Sequence, residues 1–130
     1  MKNLIALFAF ILIAVTAQSQ NLTQKDISGT WLVVNVENSS SNPKMATEMK
    51  NAVINFYADN SFEIKQKQQD GTPYSFKTTS PKNATWSYNP STETINTTGT
   101  KMTFKVASNN DKVYLEDINS GLKFEVIKPH

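Results

Sequence analysis

From Ala52 to Val126 apolar side chains return at every second position, in short runs broken by turn-forming residues. Successive side chains on an extended strand point to opposite faces, so this period builds a sheet with one apolar and one polar face. Ile54 and Phe56 lead to a turn at Asp59-Asn60. Phe62 and Ile64 then resume the apolar face, while Glu63, Lys65 and Lys67 take the other. Asp70-Gly71-Thr72-Pro73 turns the chain before Tyr74 and Phe76, and Ser80-Pro81-Lys82-Asn83 ends that run. Ala84, Trp86 and Tyr88 alternate with Thr85 and Ser87, and Ile95 and Thr97 form a weaker run closed by Gly99. Met102, Phe104 and Val106 come next, then Val113 and Leu115, and finally Leu122, Phe124 and Val126. Short alternating runs between such turns predict an antiparallel meander.

The first strand precedes this series. Asp26–Asn38 reads DISGTWLVVNVEN: a glycine, then Trp31-Leu32-Val33-Val34 without a break, then polar residues. With it the count reaches eight or nine strands. A sheet of that size closes on itself or splits into two layers, because an open flat sheet leaves its edges unpaired. The expected fold is all-β, an up-and-down meander of about eight strands closed as a barrel. Between the first strand and the rest, Asn38–Pro43 (NSSSNP) reads as a linker. Met45, Met49 and Ala52 at helical spacing predict one or two helical turns over Lys44–Asn51. A stretch so short is marginal as an independent helix, so a lid or connecting loop is expected there rather than a partner-binding helix.

The N-terminus reads differently. Lys2 precedes an unbroken apolar run from Leu4 to Val15, followed by small and polar residues. A basic start, an apolar run of roughly 7–15 residues and small residues at the exit make a secretory signal peptide. A bilayer span asks for about 20 apolar residues, which this run does not reach. Residues 1–19 are therefore read as the signal and 20–130 as one domain, with cleavage expected between Ala17 and Gln20. The chain has no cysteine, which excludes a lipid-modified cysteine anchor and any disulfide. A protein without a stable membrane anchor, periplasmic or secreted, is the expectation.

In that setting Gly29-Thr30-Trp31, the hairpin Phe56-Tyr57-Ala58-Asp59-Asn60-Ser61-Phe62, the strand Ala84-Thr85-Trp86-Ser87-Tyr88 and the later Val113-Tyr114-Leu115 carry a resemblance. As a pattern over residues 20–130 the chain resembles the lipocalin superfamily, and more narrowly the short lipocalin-like domains of exported Bacteroidota proteins. The resemblance implies that Gly29 and Trp31 close one end of the barrel. The chain departs from animal lipocalins in three ways. It has no arginine to pack across the first tryptophan, no Thr-Asp-Tyr loop motif, and almost nothing after its last strand.

Little chemistry is available to a catalyst. His130 is the sole histidine and the terminal residue, and with no cysteine the usual thiol nucleophiles and zinc constellations are excluded. Asp59-Asn60-Ser61-Phe62-Glu63 looks like the start of a calcium loop, but Ile64 stands where that loop needs glycine, so a hairpin turn is expected. Glu116 and Asp117 are neighbours on a strand, point to opposite faces, and read as solvated strand-end charges. Neither a catalytic group, a metal nor a cofactor is expected. Thirteen lysines against eleven acidic residues give no electrostatic reason for a nucleic-acid partner. Nothing fixes an oligomeric state.

The candidate site is thus the apolar face: Phe56, Phe62, Ile64, Tyr74, Phe76, Trp86, Tyr88, Phe104, Leu115 and Phe124. An eight-stranded barrel is just wide enough to be filled by side chains or to hold one small ligand. The leading expectation is a binding protein for a small apolar or amphipathic molecule, oriented by tyrosine hydroxyls and Gln66 or Gln68. The alternative is a non-catalytic structural or protein-interaction module of the envelope with a filled interior.

Overall fold

A computed structural model describes residues 22–67 and 75–129. The signal-peptide reading, Gln68, the Asp70–Pro73 turn, Tyr74 and His130 lie outside the described residues. Nine strands form one antiparallel sheet: β1 (Gly29–Glu37), β2 (Val53–Phe56), β3 (Phe62–Lys67), β4 (Phe76–Thr78), β5 (Thr85–Asn89), β6 (Thr94–Thr98), β7 (Thr103–Asn109), β8 (Lys112–Asp117) and β9 (Lys123–Ile127). Their order is β4-β3-β2-β1-β9-β8-β7-β6-β5. Among the described residues these nine strands are accompanied by two short α-helices, α1 (Gln24–Ile27) and α2 (Pro43–Met49), and a 3-10 turn at Ser39–Ser41.

The hairpins follow from turn chemistry. Asn110 (φ 50) and Asp111 (φ 66) both sit in the left-handed region between β7 and β8. Two such residues match the right-handed twist of the flanking strands, and Asn and Asp tolerate that region better than most residues. The unbroken Trp31-Leu32-Val33-Val34 run is resolved by a bulge. Val33 pairs with Val126 and Asn35 with Glu125, so Val34 is an extra residue on β1 and stands exposed. The bulge restores the alternation, and Val36 faces inward again opposite Phe124.

Inward-facing partners run around the sheet in series: Phe62 with Phe56, Ile64 with Ile54, Ile54 with Trp31, Val126 with Val113, Phe124 with Leu115, Leu115 with Val106 and Phe104 with Ile95. The sheet curls on itself, since the Phe56 ring on β2 lies 5.2 Å from Trp86 on β5 and 6.3 Å from Phe104 on β7. The expected closure is not reached as a continuous ladder, and the sheet ends at β4 and β5. β5 reaches the start of β3 at a single bridge, Ser61 with Thr85, flanked by the bonds Phe62 N to Ala84 O (3.0 Å) and Trp86 N to Asn60 O (2.9 Å). The interruption lies in Thr79–Asn83, where the chain leaves β3 between β4 and β5. No helix among the described residues is long and apolar enough to cross a membrane.

Candidate functional site

Five of the expected site residues form one ring cluster. Phe56 packs on Phe62 (5.4 Å) and Trp86 (5.2 Å), and Phe104 contacts Phe56, Phe62 and Phe124 at 6.3–6.4 Å between centroids. All five are at most 3 % exposed, and Ile64, Tyr88 and Leu115 are buried with them. Tilted and edge-on pairs at these distances are the favourable arrangement of aromatic quadrupoles. The middle of the curled sheet is therefore filled with side chains. Phe76 departs from expectation: it is 43 % exposed. The register explains this, because Phe76 pairs with Lys67 and Thr78 with Lys65 on the outer face. A strand's phase is set by its pairing, and a one-residue offset sends every side chain to the other side.

Open space remains at the end beneath α2. Asn42 caps this helix through its side-chain oxygen, which accepts from Met45 N (3.2 Å), and Pro43 occupies the first turn with a preset backbone angle. The helix brings Met45 and Met49 over the end of the sheet. From the opposite side comes Met102, held where Thr97 Oγ1 donates to its carbonyl (2.7 Å) and its own N–H donates to Thr100 Oγ1 (3.1 Å). These three are every methionine of the chain except Met1. They and Ile64 make the apolar wall of a pocket of about 430 Å³. Gln66, Thr79, Ser80 and Thr100 supply its uncharged polar groups, and Gln66 Nε2 donates to Met49 Sδ at 3.5 Å. Among the described residues Glu48 is the one ionisable side chain in the lining. Sequence reasoning placed the Met45–Met49 segment as a cover and named Gln66. It missed Met102, Thr79 and Thr100, which lie far off in sequence and gather only through the sheet.

Toward the opposite end lies Trp31, 7 % exposed, whose Nε1 donates to Ile27 O at 2.7 Å. Ile27 belongs to α1, which starts in a capping box: Thr23 and Asp26 each bond the other's backbone N–H. Over the Trp31 ring lies Lys128 Nζ, 5.0 Å from its centroid, where it also donates to Asp26 O at 2.6 Å. Gly29 precedes Trp31 at φ 129, a backbone conformation that side-chain-bearing residues rarely adopt.

A second groove, about 510 Å³, follows the seam between β3 and Thr79–Asn83 on the outer face. Its chemistry centres on Glu63. Tyr57 Oη (2.9 Å) and Asn55 Nδ2 (3.2 Å) donate to one carboxylate oxygen and Thr78 Oγ1 (3.3 Å) to the other, with Lys65 Nζ 3.8 Å away. Burial pushes the Glu63 carboxyl up, but these donors and the Lys65 charge outweigh it and hold the carboxyl below its ordinary value. The same bond raises the Tyr57 hydroxyl, chiefly because deprotonation would forfeit it. Both carboxylate oxygens accept from these neighbours, so the cluster links the end of β2, β3 and β4. Asp117 departs from the solvated role expected for it. It is 2 % exposed and its Oδ1 accepts from Thr103 N and Asn119 N, both at 3.3 Å, tying the β8–β9 turn to β7.

Among the described residues no three His, Cys, Asp or Glu side chains gather as a metal site. Comparison of the chain with protein families, curated proteins and solved structures found no match.

Proposed function

We propose that the chain is an exported, lipocalin-like binding protein that holds a small apolar or amphipathic molecule in the pocket beneath α2. The observation that carries this reading is the pocket itself. Its volume falls within the range of small-molecule sites, about 300–1,000 Å³, and it pairs an apolar wall with a few polar groups. The rings expected to line the site instead fill the space below it, which moves the ligand from the centre of the sheet to the covered end. The signal-like run Leu4–Val15 supports export, and the single bridge at Ser61 and Thr85 supports reading the curled sheet as a barrel fastened by one short seam.

The ring-filled interior favours a second reading, a non-catalytic scaffold of the envelope that binds through its surface. One experiment separates the two. Native mass spectrometry of protein isolated from its own host's envelope should give a chain beginning between Gln18 and Asn21 with a small molecule retained. Nile red should bind the emptied protein one to one, and Met45→Ala and Met102→Ala should each weaken that binding severalfold. An intact Met1 would overturn export. Failure of Nile red to bind, or binding indifferent to both methionines, would leave the scaffold.

A further inference from the structure

We propose that the pocket beneath α2 selects an uncharged amphiphile, a flexible hydrocarbon chain bearing a hydroxyl or amide head, and rejects the corresponding carboxylate. The inference rests on the binding reading above and adds to it the shape and charge of the ligand. Shape follows from the wall. Met45, Met49 and Met102 are unbranched and adaptable, so they suit a chain without fixed outline, and among the described residues no aromatic ring lines the space against which a flat ligand could stack.

Charge follows from the polar groups. The Gln66 amide and the Thr79 and Thr100 hydroxyls both donate and accept, which matches a hydroxyl or amide head. Among the described residues no lysine or tyrosine lines the pocket. Lys50 and Lys101, the chain neighbours of Met49 and Met102, are exposed and form no part of the lining. A carboxylate entering here would give up water without gaining a cation, and it would meet the like charge of Glu48.

The test is displacement of Nile red by three ligands of one chain length, below their micelle concentrations: monolauroylglycerol, dodecanoate and dodecyltrimethylammonium. Monolauroylglycerol should displace the dye at a concentration at least about tenfold lower than dodecanoate, a difference of about 1.4 kcal/mol. Glu48→Lys, at an exposed position, should narrow that ratio by strengthening dodecanoate, with thermal unfolding as the check on its fold. Dodecanoate binding as tightly as monolauroylglycerol would overturn the inference, as would a ratio unmoved by Glu48→Lys. So would dodecyltrimethylammonium binding tightest of the three, or Nile red binding that none of them displaces. The binding reading beneath falls only with the outcomes named for it above, failure of Nile red to bind or binding indifferent to Met45→Ala and Met102→Ala.

Discussion

The two ends of the curled sheet are held by different kinds of contact. At one end a rigid indole is fixed by a 2.7 Å hydrogen bond from Trp31 to Ile27 and covered by the Lys128 ammonium. At the other, α2 rests on thioethers whose directed contacts are long and weak: Gln66 to Met49 at 3.5 Å and Asn42 to Met45 at 4.0 Å. An indole with a directed bond specifies one arrangement, whereas flexible thioethers accept several at similar energy. The first end is held in one arrangement, whereas the second can adjust.

The largest expected effect tests the fixed end. Trp31→Ala should destabilise the protein by about 3–5 kcal/mol in denaturant unfolding, the range for removing a buried aromatic. Trp31→Phe keeps most of the packing and loses mainly the hydrogen bond, so it should cost much less. A near-neutral Trp31→Ala would erase the contrast between the ends. The intermediate effect tests the soft end: Met49→Leu, a volume-conserving change at a fully buried position, should cost less than about 1.5 kcal/mol. A loss matching that of Trp31→Ala would show the methionines packed as specifically as the indole.

The smallest effect asks whether the contrast is confined to the interior. Glu63 sits on the outer face, and Glu63→Gln should cost under about 1 kcal/mol at neutral pH. Its folded carboxyl is held below the ordinary value of 4.5, so its contribution is present above that value and fades as pH falls through the depressed one. Asp26 and Asp59, also lowered, remain in both proteins, so the difference between them isolates Glu63. Thermal melts at pH 7 and pH 3 should show the gap between wild type and Glu63→Gln closing at the lower pH. A constant gap would mean that the side chain acts by packing rather than by charge.

Much of the interior was legible in the sequence, because alternation is a local signal. Phe56, Phe62, Trp86, Phe104 and Phe124 face inward as the period requires. Phe76 failed because its three-residue strand is phased by its neighbour, and a run so short cannot announce its own register. Helix α1 was missed although Thr23 and Asp26 carry the spacing of a capping box; four residues of helix leave no hydrophobic period to notice. The Lys128 ammonium over Trp31 also went unread, because the two residues lie nearly a hundred positions apart and meet only through the β1–β9 pairing. The pocket was half legible: Met45, Met49 and Gln66 could be named, but their partners reach them across strands remote in sequence.

The pairing of β1 with β9 has a consequence for the order of assembly. These two strands come from opposite ends of the described chain, yet they lie side by side at the centre of the sheet and join β1–β4 to β5–β9. The hairpins on either side close short loops, as at Asn110-Asp111, and can form early at little entropic cost. The central ladder must wait until nearly the whole chain has been gathered, because contacts between distant residues reward folding only after the loop between them has closed. The middle of the sheet is thus the last part built. Until Lys123–Ile127 docks, two partly ordered hairpin arrays would each present a raw strand edge. A nascent chain in which β9 has not yet emerged carries an unpaired edge at β1, a strand that ends up in the middle of the sheet once folding is complete.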